Sequence, residues 1–175
     1  MSDISRFPQL AGLGPAELEG LLEDAAKNWL AHDGLWFQAV ERAHGLDAAI
    51  RADTEAWCSF TVIEARRIME RHRIAPGGGI PALVKALSFR LYAYINRQEV
   101  IEETDKRVVF RMLECRVQAA RRRKGLADFP CKPVGLVEYE NFAKTIDPRI
   151  VTRCLYCPPD EHPEDAWCAW EFKIP

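Results

Sequence analysis

No stretch of the 175-residue sequence holds about 18 consecutive apolar residues, so it offers no membrane-spanning helix. Residues 1–13, MSDISRFPQLAGL, show no basic start followed by an apolar run; the expectation is a cytoplasmic protein with no membrane partner. A dominant sign of charge is missing as well. The 24 Lys and Arg stand against 26 Asp and Glu, giving a formal net charge of −2 and a pI of about 6.1. Bulk charge therefore gives no grip on nucleic acid or an anionic surface. Internal repeats, low-complexity tracts, a Gly-rich phosphate loop and a recognisable catalytic triad are also absent. The one Gly/Pro cluster, Pro76-Gly77-Gly78-Gly79, is too short to separate domains and reads as an internal loop or hinge. A single domain over 1–175 is expected, with a helical half 1–96 and a sheet-forming, cysteine-rich half 97–175.

What is present is an ordinary globular composition with an unusual cysteine distribution. Hydrophobic residues make up 48% and charged residues 29%, close to the averages of about 45–50% and 25%, which argues for a folded core. A chain of this length buries roughly 70% of its unfolded surface and needs no covalent staples. The six cysteines therefore call for another reason. Cys58, in Trp57-Cys58-Ser59-Phe60, is expected to be a buried apolar thiol. Cys115, Cys131, Cys154, Cys157 and Cys168 crowd the C-terminal third, where a reducing compartment favours buried thiols, reactive thiolates or metal ligands over disulfides.

The first half has helical periodicity. Leu18, Leu21, Leu22, Ala25, Ala26, Trp29 and Leu30 form one stripe behind Pro15, with Glu17 and Glu19 in the first turn. Asp33 is expected to cap a second helix through Ala43, Gly45 to interrupt it, and a third helix to run from Leu46 to about Trp57. Thr61 and Glu64 have capping-box spacing before a fourth helix that buries Ile63, Ile68 and Met69. A fifth carries Leu83, Val84, Leu87, Leu91, Tyr94 and Ile95 on one side. After Asn96 the pattern becomes strand-like at 99–103 and 107–113, then at 150–156 and 167–174, with short helices near 115–124 and 134–144 between the pairs. The expected fold is α+β, a helical N-terminal half packed with a four-stranded antiparallel sheet from the C-terminal half. In the last strand Cys168, Trp170, Phe172 and Ile174 share one face, and Ala169, Glu171 and Lys173 share the wetter one.

If the last two strands form a hairpin with Ile150 opposite Phe172 and Thr152 opposite Trp170, Cys154 falls opposite Cys168. Cys157 follows Cys154 at Cys-x-x-Cys spacing, before Pro158-Pro159 ends the strand. Cys154, Cys157, Cys168 and Cys131 are the expected metal ligands, with Cys115 or His162 as alternative fourth donors, and thiolate chemistry points to zinc. The same residues can be read as a reactive thiol cluster, with Cys131, Cys154 or Cys168 as nucleophile, or as a buried one.

Several of these segments carry a family resemblance. Cys115-Arg116-Val117-Gln118, Phe129-Pro130-Cys131-Lys132, Cys154-Leu155-Tyr156-Cys157-Pro158-Pro159-Asp160 and Trp167-Cys168-Ala169-Trp170-Glu171-Phe172 resemble bacterial cytosolic proteins related to the L-2-amino-thiazoline-4-carboxylic acid hydrolase-like family. His32-Asp33-Gly34-Leu35-Trp36-Phe37 fits the same group, and the closing pattern is similar to that of 4-vinyl reductase domains, which are small-molecule-binding α+β modules. The resemblance implies an α+β fold and hydrolysis at a cyclic C=N bond. It carries over no set of catalytic residues.

Asp53 interrupts the apolar stripe of Leu46, Ile50 and Trp57, and a carboxylate there is costly unless paired; it becomes a candidate pocket residue. Trp36, Trp57 and Trp170, with Phe89 and Tyr92, are expected to wall an apolar pocket. Residues 106–124 carry an excess of seven positive charges, expected to be largely a solvated helix end and not a nucleic-acid surface. The expected function is a small-molecule-binding module with a thiolate zinc site, the alternative being a hydrolase that uses a Cys nucleophile or metal-bound water. Two further possibilities stay open: a homodimer, and a subunit without chemistry of its own.

Overall fold

Where the apolar period runs on without a strong breaker, the helices run on as well. The structure, a computed structural model, describes residues 7–175; residues 1–6 of the N-terminal stretch read above lie outside it. After a 3-10 turn at Pro8–Leu10, helix α1 spans Pro15–His44 and α2 spans Leu46–His72. Two long helices thus replace the four expected up to Ile74. Asp33 is not a cap but lies inside α1, and Thr61 is not a cap but lies buried inside α2. Gly45 does break the chain, at φ 86°, a conformation open to glycine at little cost. Thr61 donates its hydroxyl to the carbonyl of Glu138 at 3.0 Å, so its oxygen serves a helix contact instead of a helix start. Among the described residues no helix is long and apolar enough to cross a membrane.

Leu18, Leu21 and Leu22 are solvent-exposed because the packed part of α1 begins only at Ala26. Ile63 and Cys58 also face outward on α2, contrary to expectation; its inner face is Ala49, Trp57, Thr61, Ala65, Ile68 and Met69. Helix α3, Gly79–Leu87, stops earlier than expected and gives way to a 3-10 turn at Leu91–Tyr94. The preceding Pro76–Gly79 loop is pinned. Asp147, fully buried, accepts the N–H of Gly79 at 3.0 Å, and Ile146 accepts that of Gly77 at 2.9 Å.

The sheet has strands β1 (Arg97–Ile101), β2 (Arg107–Glu114), β3 (Val151–Tyr156) and β4 (Cys168–Lys173) in the order β1-β2-β4-β3, all antiparallel. Helix α4 (Arg116–Arg123) and α5 (Lys132–Ile146) join the two pairs. The fold is α+β. Helix α5 packs on α2 and on β3, α2 packs on α1, and a continuous core runs from Ile68 and Leu83 through Phe142 and Ile146 to Val108, Trp170 and Phe172.

The register of the last hairpin differs from expectation by two residues. Thr152 pairs with Phe172 and Cys154 with Trp170, while an irregularity before Tyr156 brings it opposite Ala169. A two-residue shift keeps every side chain on its face, so the alternation of apolar residues cannot discriminate the two registers. The outcome is set by β4 being central and held by β2 as well, with Phe110 opposite Trp170 and Met112 opposite Cys168. The face expected to be wetter is covered too: Glu171 is buried beneath Arg107 and Lys173, which pair with it at 2.8 and 3.0 Å.

One charged side chain crosses the interior. Arg90, 2% exposed, meets Glu64 of α2 at 2.8 Å and Glu138 of α5 at 2.7 Å. Its guanidinium lies 4.8 Å from the ring centre of Phe142 and 5.6 Å from those of Tyr92 and Tyr139, within cation–π range. Removing one partner of a buried ion pair leaves the other charge stranded. Replacement of Arg90 by Met is therefore expected to cost about 3–5 kcal/mol in urea unfolding, and combining it with Glu64→Gln and Glu138→Gln to recover much of that loss.

Candidate functional site

A cavity of about 400 Å³ opens between α1, α2, α4, α5 and the inner face of the sheet. Trp57, Phe37, Tyr92, Phe129, Val134 and Trp170 supply apolar wall. Three acids, Asp33, Asp53 and Glu138, and four thiols, Cys115, Cys131, Cys157 and Cys168, line the same space. Another hollow, of about 450 Å³ beside Val62, Arg66, Asn141 and Lys144, carries neither acid nor thiol. Gly135 lets α5 close on the cavity's far wall: a Cβ there would fall 2.7 Å from Cζ2 of Trp170.

The acids are unequal. Burial raises the Glu138 carboxyl, but Arg90 opposes this with a charge and a hydrogen bond. Asp33 and Asp53 have no ion-pair partner among the described residues. Burial raises the Asp33 pKa, and His32 offsets only part of the rise. Asp53 is pushed up to about 7 by burial and then by the nearby charges of Asp33 and Glu138, against a weaker hydrogen bond from Trp57. A carboxyl titrating near neutrality inside an apolar cavity can hold or release a proton at working pH.

The thiols are organised around Cys157. Its thiol interacts with those of Cys131, Cys154 and Cys168, and these contacts, with burial, raise its pKa. It stays protonated, and its single S–H, available to one neighbour at a time, lowers the pKa of Cys131 and of Cys154. Cys131 also accepts a hydrogen bond from the buried Gln118 Nε2 at 3.2 Å, and it occupies the N-cap of α5, where the helix dipole favours a thiolate. Cys115 is different: burial pushes it up to about 12.

The structure thus brings together Cys131, Cys154, Cys157 and Cys168, although Cys154 does not face Cys168 across the ladder. Cys115 stands close by, near enough to feel charge on Cys131 and Cys168. His162 is not with them; its ring faces Trp167 at 5.1 Å and its Nδ1 lies 2.9 Å from the Pro163 carbonyl. Among the described residues no three or more His, Cys, Asp or Glu side chains are arranged to hold a metal ion.

Asp53, Trp57 and Trp170 line the cavity as expected. Trp36 does not. It is 64% exposed, because Asp33 and Phe37 occupy the inner face of α1 at that level. Phe89 lies elsewhere, stacked on His72. The arginine-rich segment is less solvated than expected: Arg121 is buried and paired with Glu41 at 3.1 Å, and Arg122 pairs with Asp128 at 3.0 Å over the Trp167 ring. Sequence reasoning missed Glu138, Gln118 and Arg90. Nothing in their local patterns distinguishes a buried partner from a solvated side chain. For Asp33 the signal existed, since Leu30 and Phe37 continue the α1 stripe across it.

This combination of cavity, unpaired acids and thiol cluster belongs to a chain whose residues 12–174 match one family's sequence model over nearly their whole length. The chain is a member of DUF6125, a family of unknown function. No curated protein matches it. In this DUF6125 chain the chemistry must therefore be argued from the cavity.

Asp53 gives a direct handle on that cavity. Its folded pKa, about 7, lies above its ordinary 3.8, so the folded state binds the proton more tightly and stability falls as pH rises between those values. Asp53→Asn removes the penalty. The variant is expected to gain stability over the parent progressively from pH 4 to pH 7, levelling off at about 1–3 kcal/mol above pH 7, as read by urea unfolding at several pH values.

Proposed function

We propose that this chain is a cytoplasmic small-molecule-binding module. The observation that carries the reading is the cavity of about 400 Å³, apolar over most of its wall and provided with a few polar groups, two of them unpaired acids. Buried acids without partners lower stability, and a chain that keeps them beside an open cavity gains most from a ligand that uses them. The neutral dye Nile red is expected to bind with saturable fluorescence enhancement, and Ala120→Trp, which fills the cavity from α4, to abolish that signal while retaining the helical circular dichroism. Equal enhancement by a folded Ala120→Trp variant overturns the reading.

The same proposal includes zinc held by Cys131, Cys154, Cys157 and Cys168. Its support is the donor set: four sulfurs linked through Cys157, of the soft thiolate type that zinc prefers. Loading would deprotonate Cys157 and exchange thiol contacts for sulfur–metal bonds, tying β3, β4 and the N-terminus of α5 together.

A hydrolase is the second reading, favoured by Cys131. A lowered pKa, a helix N-terminus and a place on the cavity wall opposite acids able to carry a proton are what a nucleophilic thiol requires at an electrophilic carbon such as that of a C=N bond. One experiment separates the two: metal analysis and iodoacetamide mapping of protein purified without added metal. About one zinc per chain with the four sulfurs protected supports the zinc site and removes Cys131 as a free nucleophile; less than about 0.1 equivalent sinks it. In metal-free protein Cys131 is expected to be alkylated well before Cys115, and equal rates overturn the nucleophile reading.

A further inference from the structure

The acids of the cavity wall, Asp33, Asp53 and Glu138, are buried or half-buried, whereas three of its five basic side chains, Arg116, Arg123 and Lys124, are exposed. Glu138 is paired with Arg90. Arg90 is already shared between Glu64 and Glu138. The buried cation on the wall, Arg121, is taken up by Glu41 at 3.1 and 3.2 Å and by the carbonyl of Ala127 at 2.7 Å. At the mouth, Lys27 pairs with Glu23 and Lys124 donates to Gln38, while Arg116 and Arg123 are exposed to solvent, which screens their charge. Asp53 accordingly feels Asp33 and Glu138, both pushing its pKa up, with no basic side chain against them.

Resting on the module reading, we propose that the cavity takes an organic cation: an apolar or aromatic body bearing a protonated amine, seated with its nitrogen toward Asp33 and Asp53. Such a group supplies the cationic partner that Asp33 and Asp53 lack, at a half-buried place where Coulomb attraction is stronger than in bulk water. Trp57 and Tyr92, stacked at 5.8 Å between ring centres, offer aromatic surface to the same cation. Beside Asp33 and Asp53 a bare metal ion fits less well, since the wall around these acids is largely apolar. An anion would meet the acids directly.

An independent feature of the same wall points to a bound molecule. Trp170 is fully buried, it lines the cavity, and its indole Nε1–H has no hydrogen-bond partner. A buried donor without an acceptor is rare and costly, and a ligand atom in the cavity is one way to satisfy it. The ligand is therefore expected to carry an acceptor, such as an ether or hydroxyl oxygen, in addition to its ammonium.

Three probes of nearly equal shape test the charge: 2-naphthylmethylamine, 2-naphthylmethanol and 2-naphthoate, titrated into the full chain by calorimetry at pH 8. The amine is expected to bind at least about tenfold more tightly than the alcohol, and the acid most weakly; tenfold corresponds to about 1.4 kcal/mol. Asp53→Asn and Asp33→Asn should each erase most of the amine's advantage and leave the alcohol's affinity unchanged. Equal or tighter binding of the alcohol or the acid overturns the cation and leaves the module reading standing. If none of the three binds, the cation proposal fails; if Nile red is also excluded, the module reading fails with it.

Discussion

A single guanidinium sets the interior of this protein. Arg90, between α3 and the 3-10 turn at Leu91–Tyr94, reaches between two helices and takes Glu64 from α2 and Glu138 from α5. Burial alone would lower its pKa, but the two carboxylates outweigh burial and raise it, so the charge is retained in the core. Buried ion pairs contribute little net stability because desolvation offsets attraction, and their value lies in fixing geometry. Here that geometry is the relation of α2 to α5. The rings of Trp57, Tyr92, Tyr139 and Phe142 surround the guanidinium, and three of them, Trp57, Tyr92 and Tyr139, also line the cavity.

The chemistry follows from what Arg90 does not neutralise. With one cation shared by two carboxylates, Asp33 and Asp53 stay without partners, and burial moves both toward neutrality. The thiols show the complementary case. The Cys157 pKa is raised and those of Cys131 and Cys154 are lowered, because the one S–H of Cys157 favours the neighbour it is donated to as a thiolate. Gln118 adds a donor to Cys131 while its amide also bonds both the N–H and the carbonyl of Phe129 at 2.8 Å, so α4 positions the residue at the head of α5. Acids whose pKa is raised and a thiol whose pKa is lowered thus face the same space.

Much of this was legible one element at a time. The stripe containing Asp53 marked a carboxylate at the core margin, and Trp57 and Trp170 were recognisable as wall because each follows the apolar period of its own element. The grouping of Cys154, Cys157 and Cys168 was recognisable too, since the last hairpin keeps them close under either register, whereas Cys131 reaches them from the head of α5. What escaped was every feature that depends on two elements at once. Trp36 looks as apolar as Trp57, yet α1 turns it outward; Asp33 looks like a cap, yet α1 continues through it. Thr61 and Glu64 have the spacing of a capping box and are each used instead by another element, Thr61 by Glu138 and Glu64 by Arg90.

The sequence by itself determined the class of fold, the periods of its helices and strands, the break at Gly45 and the concentration of thiols in the C-terminal third. These are local properties, written in side-chain volume, polarity and backbone freedom within a few residues. Only the tertiary structure decided the strand register, the pairing of Arg90 and the meeting of unpaired acids with the thiol cluster in one cavity. The reason is physical: a two-residue slip preserves faces, and a buried charge is stable only beside partners contributed from elsewhere in the chain.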